Sequence, residues 1–537
     1  MPAYGRTTRR AALLGGAALA VCGLGAAGAQ AATAGPGAAS RTVAYHGYSL
    51  QVPASWPVID LSKSPDTCVR FDVHAVYLGH PTAAGQATCP SSLVGRAGAV
   101  LVEPLDGTGD AVVGPQTVVA PAGTAAYRPS QGAGRAAQGE IDYAVPSAGV
   151  LVTAAFGTRS GQPAQATTIL GSGRLLPGAH ALSTLPRAGT AAARAAVRPA
   201  DATGAQPGTF TGQGFDACTA PGSAQMSTWL ADSPYQALGV YIGGVNRACA
   251  QPNLTDAWVT SVTAAGWHLF PLYVGTQAPC SDFNAVLSTD PSTAYGTGVS
   301  EADDAVAQAQ SVGMPAASVI FNDMEAYDNT NATCSTAVLS YISGWTTELH
   351  NRGYLSGEYS SAGSGITDLV DQVGTGNYAL PDQIDFAWWN GVANTDGGSY
   401  IPAGYWSEHQ RIHQYHGGAD ESYGGVTINV DGNYLDVGAG SASPPPTAKY
   451  WVDTFAAAPV YASPTSTVQT GTLDAGTNYV YCKVWGPMVG DSASYNHWWL
   501  LTDPDVGPAD QYVSAYYLSR WGNDQALDND GNPIPDC

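Results

Sequence analysis

Charge is scarce in this 537-residue sequence: Asp, Glu, Lys and Arg make up 12%, and the 20 Lys and Arg face 42 Asp and Glu, a formal net charge of −22. A chain so poor in cations has no means of holding nucleic acid or an anionic bilayer nonspecifically, which excludes both as general partners. No CxxC spacing occurs among its nine cysteines, so a zinc site lacks its usual sulfur pair. A long unbroken apolar run is missing too. The nearest approach, Ala11 to Ala29, is interrupted by glycines, follows Thr8-Arg9-Arg10 and ends beside Ala29-Gln30-Ala31. That pattern reads as a twin-arginine export signal over residues 1–31, removed at a small-residue site, rather than as a membrane anchor. The mature form is then expected to be secreted, extracellular or wall-associated, with 17 basic residues against 42 acidic ones, net −25.

What is abundant is Gly (65) and Pro (36), the residues of turns and linkers, and the length suggests about three domains. After loss of the signal and Cys22, eight cysteines remain, an even and widely spaced set that reads as four disulfides in an exported protein. If each domain closes its own bridges, Cys68 pairs with Cys89 and Cys482 with Cys537, and Cys218, Cys249, Cys280 and Cys334 form two bridges between them.

Short apolar runs alternate with Pro/Gly turns over residues 41–174, giving a β-rich accessory domain with no catalytic constellation. An Ala/Gly linker follows over 175–207. From 208 to 437 eight strand-like runs are separated mostly by helix-like stretches: Gln213 to Cys218, Ala237 to Gly244, His268 to Gly275, Ser318 to Glu325, Gly353 to Ser360, Ile384 to Trp389, Ile412 to His416 and Val426 to Asp431. Number and length match a (β/α)8 barrel, irregular near its end, where helical signal fades. A Pro-rich spacer occupies 438–448, and 449–537 is dense in Tyr and Trp with alternating apolar character.

In such a barrel chemistry gathers where strands end. Asp216 closes the first run, Asp323 and Glu325 the fourth, and Asp431 the last, so sequence-distant acids converge on one mouth. Side chains two apart on a strand share a face, which places Asp323 beside Glu325, where mutual repulsion and burial raise one pKa toward neutrality. Converging carboxylates serve glycoside hydrolysis, hold a hard cation, or stand as solvated loop acids. Aromatic residues at or near the same ends, Tyr241, Tyr273, Tyr327, Tyr359, Trp388, Trp389 and Tyr415, favour a sugar.

With GFD on the first strand, Asp323-x-Glu325 on the fourth, Gln414-Tyr415 on the penultimate and Val430-Asp431-x-Asn433 on the last, residues 208–437 resemble an actinobacterial glycoside-hydrolase-like barrel family of unknown function, allied to the family 25 muramidases. The resemblance implies Glu325 as general acid, Asp323 and Asp431 as groups that stabilise an oxocarbenium-like transition state or position a nucleophile, Asp216 at the floor and Gln414 among the substrate contacts. Asp216-Ala217-Cys218 departs from the D-x-S start of the muramidases, which puts the first-strand contacts in question. Residues 449–537 look like a bacterial SH3-type barrel. The implied protein is a monomeric, cofactor-free and metal-free hydrolase of cell-wall glycan such as peptidoglycan; the rival is an inactive barrel that binds envelope glycan.

Overall fold

The computed structural model describes residues 39–108, 111–158, 161–187, 204–438, 449–461, 464, 466, 469–506 and 511–535. The expected export signal, residues 188–203 of the Ala/Gly linker, nearly all of the Pro-rich spacer and Cys537 lie outside the described residues. From Ser40 onward the chain forms one compact unit.

Eight strands close a barrel in sequence order: β1 (Phe210–Asp216), β2 (Tyr235–Gly243), β3 (His268–Tyr273), β4 (Val319–Asp323), β5 (Leu355–Ser361), β6 (Gln383–Ala387), β7 (Gln410–Tyr423) and β8 (Val426–Val437). Five helices connect the first six: α1 (Ser223–Asp232), α2 (Asp256–Ala264), α3 (Pro291–Ser311), α4 (Ala332–Asn351) and α5 (Gly365–Gln372). Their starts are written in the sequence. Thr255, Asp290 and Asn331 each accept a backbone N–H of the first turn, and Pro291 opens α3 where its missing N–H costs nothing. Period-two alternation sorts the strand residues. Leu238, Val240 and Ile242 face outward and pack with Trp229 and Trp258 of the helices, while Ala237, Phe270, Phe321, Leu355, Ile412 and Leu435 fill the interior.

The barrel is mixed, which corrects the (β/α)8 expectation. Strands β1 to β7 pair in parallel, but β8 runs antiparallel to both β7 and β1. The cause is Gly424-Gly425, two glycines at φ 55° and 80° that join β7 to β8 as a two-residue hairpin. Such a turn, which needs positive φ at both positions, links only antiparallel strands.

Around the barrel lie two β-rich parts. N-terminal to it, a mixed six-stranded sheet runs in the order Val58–Asp60, Ala75–Leu78, Ala99–Pro104, Val150–Ala155, Glu140–Val145, Val118–Val119, beside an antiparallel three-stranded sheet of Ser40–Tyr45, Tyr48–Pro53 and Arg174–Leu175. C-terminal to it, Tyr450–Thr454 pairs with Gly476–Val480, and a five-stranded sheet packs with them around Val452, Val460, Val480, Leu500 and Val513. Disulfides join Cys68 to Cys89, Cys218 to Cys249 and Cys280 to Cys334. Cys482 is also disulfide-bonded.

The N-terminal part is locked to the barrel by a buried guanidinium. Arg96, 1% exposed, donates to the backbone carbonyls of Arg247, Gln138 and Gly139 and to Glu140 Oε2, and Arg135 and Arg247 also face Glu140. A buried carboxylate so surrounded stays ionised, its pKa held at about 2 against the opposing effect of burial.

Candidate active site

Alternation along the strands decides which predicted residues meet. Asp323, Tyr359 and Asp385 are register neighbours across β4, β5 and β6, and Asp216 is the register neighbour of Asp431 across β1 and β8. Asp216 is 1% exposed and accepts three hydrogen bonds, from Tyr241 Oη (2.8 Å), Asn433 Nδ2 (2.7 Å) and Gln414 Nε2 (3.3 Å). Burial raises its pKa, and the three donors oppose the rise. Gln414 in turn accepts from Tyr359 Oη (3.0 Å) and Trp389 Nε1 (2.9 Å), which ties the β5 and β6 ends to the same carboxylate.

Asp323 is the last residue of β4, 2% exposed, and its Oδ1 has no hydrogen-bond partner among the described residues. Burial, followed by repulsion from Glu325, Asp216, Glu358 and Asp385, raises its pKa well above the ordinary value. Glu325 sits two residues beyond, past the strand end. It is half-buried, with its N–H donating to Gln277 Oε1 (2.8 Å), while Gln277 Nε2 donates to the Asp323 carbonyl (2.7 Å). This amide clamps the turn that carries both acids. The Glu325 pKa is pushed up to about 7, by burial first and the Asp216 charge second. Asp431, 3% exposed, accepts from Ser91 Oγ (2.8 Å) and from the Gly418 N–H, and burial with repulsion from Asp216 lifts its pKa to about 7. It lies in the middle of β8, which runs on to Val437, and not at a strand end as the sequence suggested.

The aromatic residues divide. Tyr241 and Tyr359 are hydrogen-bonded into the carboxylate network, and Trp389 is 61% exposed beside it. Trp388 is half-buried, packed edge-on to Tyr400 and stacked on His413. Tyr273 and Tyr415 do not join the mouth, which corrects their assignment as sugar contacts. Tyr273 belongs to the outward set, fully buried against Trp345, with its hydroxyl on Asp304 Oδ2 (2.9 Å). Tyr415 follows inward Gln414, so it points to the other face and donates to Gln213 Oε1 (3.1 Å).

Sequence reading missed Asp385, Gln277 and Ser91, and it named Asn433 only as part of the last-strand motif. Asp385 follows the alternation of an IDFAWW strand and was legible in principle; its Oδ1 is buried and unpartnered among the described residues. Gln277 and Ser91 act through contacts no local pattern encodes. His409 and His413, spaced by four, offer no shared metal: His409 pairs with Asp436, and both His413 ring nitrogens lie against the Asn394 and Trp388 carbonyls.

The arrangement is one half-exposed carboxyl poised near neutrality beside a buried carboxylate rich in donors, with orphan acceptors at Asp323 and Asp385. Proton donation to a leaving oxygen and contact with ligand hydroxyls are the chemistry it can perform.

Residues 227–435 match the family model of the Rv2525c-like, glycoside hydrolase-like domain. This span, less than half of the chain, contains Asp323, Glu325 and Asp431 and begins after Asp216. Three solved structures are similar. An uncharacterized B. stearothermophilus protein is 20% identical, over 42% of this chain and 95% of its own, with a TM-score of 0.29. The modular autolysin LytC from Streptococcus pneumoniae is 10% identical, over 42% and 46%, with a TM-score of 0.28. The spore cortex lytic enzyme SleM of Clostridium perfringens is 13% identical, over 60% and 94%, with a TM-score of 0.30. No curated protein matches the chain.

Proposed function

We propose that the protein is a secreted glycoside hydrolase of cell-wall polysaccharide, peptidoglycan foremost, with Glu325 as general acid. The match to a glycoside hydrolase-like domain supports the reaction class. The observation that carries the reading is the opposed state of two neighbouring carboxyls. Asp216 accepts three hydrogen bonds, which favour its charged form against burial, while burial first and the Asp216 charge second push the Glu325 pKa up to about 7. A carboxyl in this state protonates the glycosidic oxygen as the bond to the sugar breaks, and negative charge inside the barrel stabilises the oxocarbenium-like centre that develops. Asp431 is the second carboxyl, and Asp323, largely protonated, donates to a substrate hydroxyl. Trp389 offers its exposed face to a sugar ring. On this reading residues 41–174 and the SH3-type module 449–537 flank the hydrolase, and the chain works as an exported monomer. Among the described residues no helix is long and apolar enough to cross a membrane.

A second reading, a barrel that binds envelope glycan without cutting it, draws on the exposure of Trp389 (61%) and of nearby Val392 (50%). One experiment separates the two. Purified residues 32–537 are incubated with peptidoglycan and with chitin-type oligomers, and new reducing ends are identified by mass spectrometry. Release that vanishes in Glu325→Gln establishes the glycosidase; retention on the wall with no release from either substrate establishes the binder.

A further inference from the structure

The N-terminal part, in which the sequence shows no chemistry, reaches the carboxylates through one side chain. Ser91 stands two residues after Cys89, which the disulfide fixes to Cys68. The chain beyond is pinned to the barrel: Ser91 N–H donates to Asn429 Oδ1 (2.8 Å), Val94 bridges to Arg247, Gly95 N–H donates to the Asn246 carbonyl (2.7 Å) and Asn284 Nδ2 donates to the Arg96 carbonyl (2.8 Å). Ser91 is 1% exposed, and its Oγ lies 2.8 Å from Asp431 Oδ1 and 3.1 Å from Asn429 Oδ1. The hydroxyl has one hydrogen to give. Asn429 Oδ1 already accepts the Ser91 N–H, so the shorter, charge-assisted bond to Asp431 takes it.

The Gly418 N–H converges on the same Asp431 oxygen. Two donors on one oxygen, one from β7 and one from 340 residues away in sequence, fix the rotation of the carboxyl. The groups facing Asp431 otherwise are acidic: Asp216 on β1 and Glu325 after β4 both oppose its ionisation, and the His416 ring on β7 lies against the adjacent Gly432. Ser91 is the side-chain donor that counters them.

We propose that Ser91 is a positioning residue of the active site, holding the Asp431 carboxyl in its working orientation and ionised form. The N-terminal part is then a structural component of the site and not a detachable accessory. The inference rests on the glycosidase reading, and its test reports on Asp431 whether or not glycan is cut.

The experiment uses residues 32–537 labelled with 13Cγ-aspartate, with the Asp431 signal assigned by its loss in Asp431→Asn. Ser91→Ala removes the donor, Ser91→Cys weakens it at similar volume should the alanine variant misfold, Ser91→Thr restores it, and Ser92→Ala alters an exposed neighbour. The expected result is an Asp431 titration midpoint about one unit higher in Ser91→Ala, the worth of one charge-assisted hydrogen bond, with a smaller rise in Ser91→Cys. Ser91→Thr and Ser92→Ala stay at the parent value, and the acidic limb of the kcat–pH profile moves with the midpoint. A folded Ser91→Ala or Ser91→Cys protein with the parent midpoint overturns the proposal. Equal kcat–pH profiles in parent and Ser91→Ala overturn it too, whereas a parent that cuts no glycan while the midpoint moves overturns the glycosidase reading and leaves Ser91 tied to a binding site.

Discussion

Asp216 and Asp431 stand directly opposite each other on antiparallel neighbours, β1 and β8, so both side chains project from the same face of the barrel wall. Side chains so placed are within about 5 Å at Cβ, close enough for each charge to act on the other. Asp216 accepts three hydrogen bonds that favour its charged form, and after burial its charge is the next cause that raises both Asp431 and Glu325. Replacing it by asparagine removes that charge. The alkaline limb of the activity–pH profile, set by the proton on Glu325, then moves down by about one unit, alongside a loss of rate. A profile that keeps its parent limb shows that Asp216 does not govern the acid.

Glu325→Gln keeps the shape of the side chain and removes its proton chemistry. The expected loss in kcat is about 10²- to 10⁴-fold, the usual contribution of a general acid, with glycan affinity retained. Reducing-end release in parallel with equilibrium binding reads both numbers, and residual turnover near the parent rate assigns the acid elsewhere.

Asp323 bears on stability as well as on chemistry. Its folded pKa lies well above the ordinary 3.8, so between those values the folded chain binds more protons than the unfolded one, and stability falls as pH rises. Asp323→Asn abolishes this dependence. Its unfolding temperature is expected to exceed the parent's at pH 8 by about 2–4 °C per unit of relieved shift, with the gap closing toward pH 4. Calorimetry at the two pH values checks it; a variant less stable at pH 8 contradicts the burial argument.

Trp389 is exposed at the rim and joins the network through its Nε1 bond to Gln414. Trp389→Ala is expected to weaken glycan binding about threefold to tenfold, the worth of one aromatic contact, and to leave the pH of half-maximal activity in place. Titration calorimetry with soluble glycan fragments measures the first and the rate profile the second.

Much of this was legible from residue order. All eight barrel runs are strands, because continuous apolar segments such as VIFND are buried on both faces and bounded by turn residues. The Cys68–Cys89 bridge and the two bridges among the central four cysteines follow from even spacing in a domain-by-domain chain. The direction of β8 was also written in Gly424-Gly425, a two-residue hairpin signal that counting the eight runs passes over. Tyr273 and Tyr415 show the limit of proximity in sequence: each follows an inward residue, Leu272 or Gln414, and a period of two sends each to the opposite face.

The sequence by itself determined the strands, the Cys68–Cys89 bridge, the existence of two bridges among the four central cysteines and the acids Asp216, Asp323, Glu325 and Asp431 as candidates, since each depends on local pattern or residue type. Only the tertiary structure decided which of these acids are held by donors and which are left to burial and repulsion. That choice rests on Tyr241, Gln414 and Asn433 donating to Asp216 and on Ser91 donating to Asp431, contacts that join distant segments. A pKa is set by the donors, charges and solvent within a few ångströms, and chain closure alone brings those together.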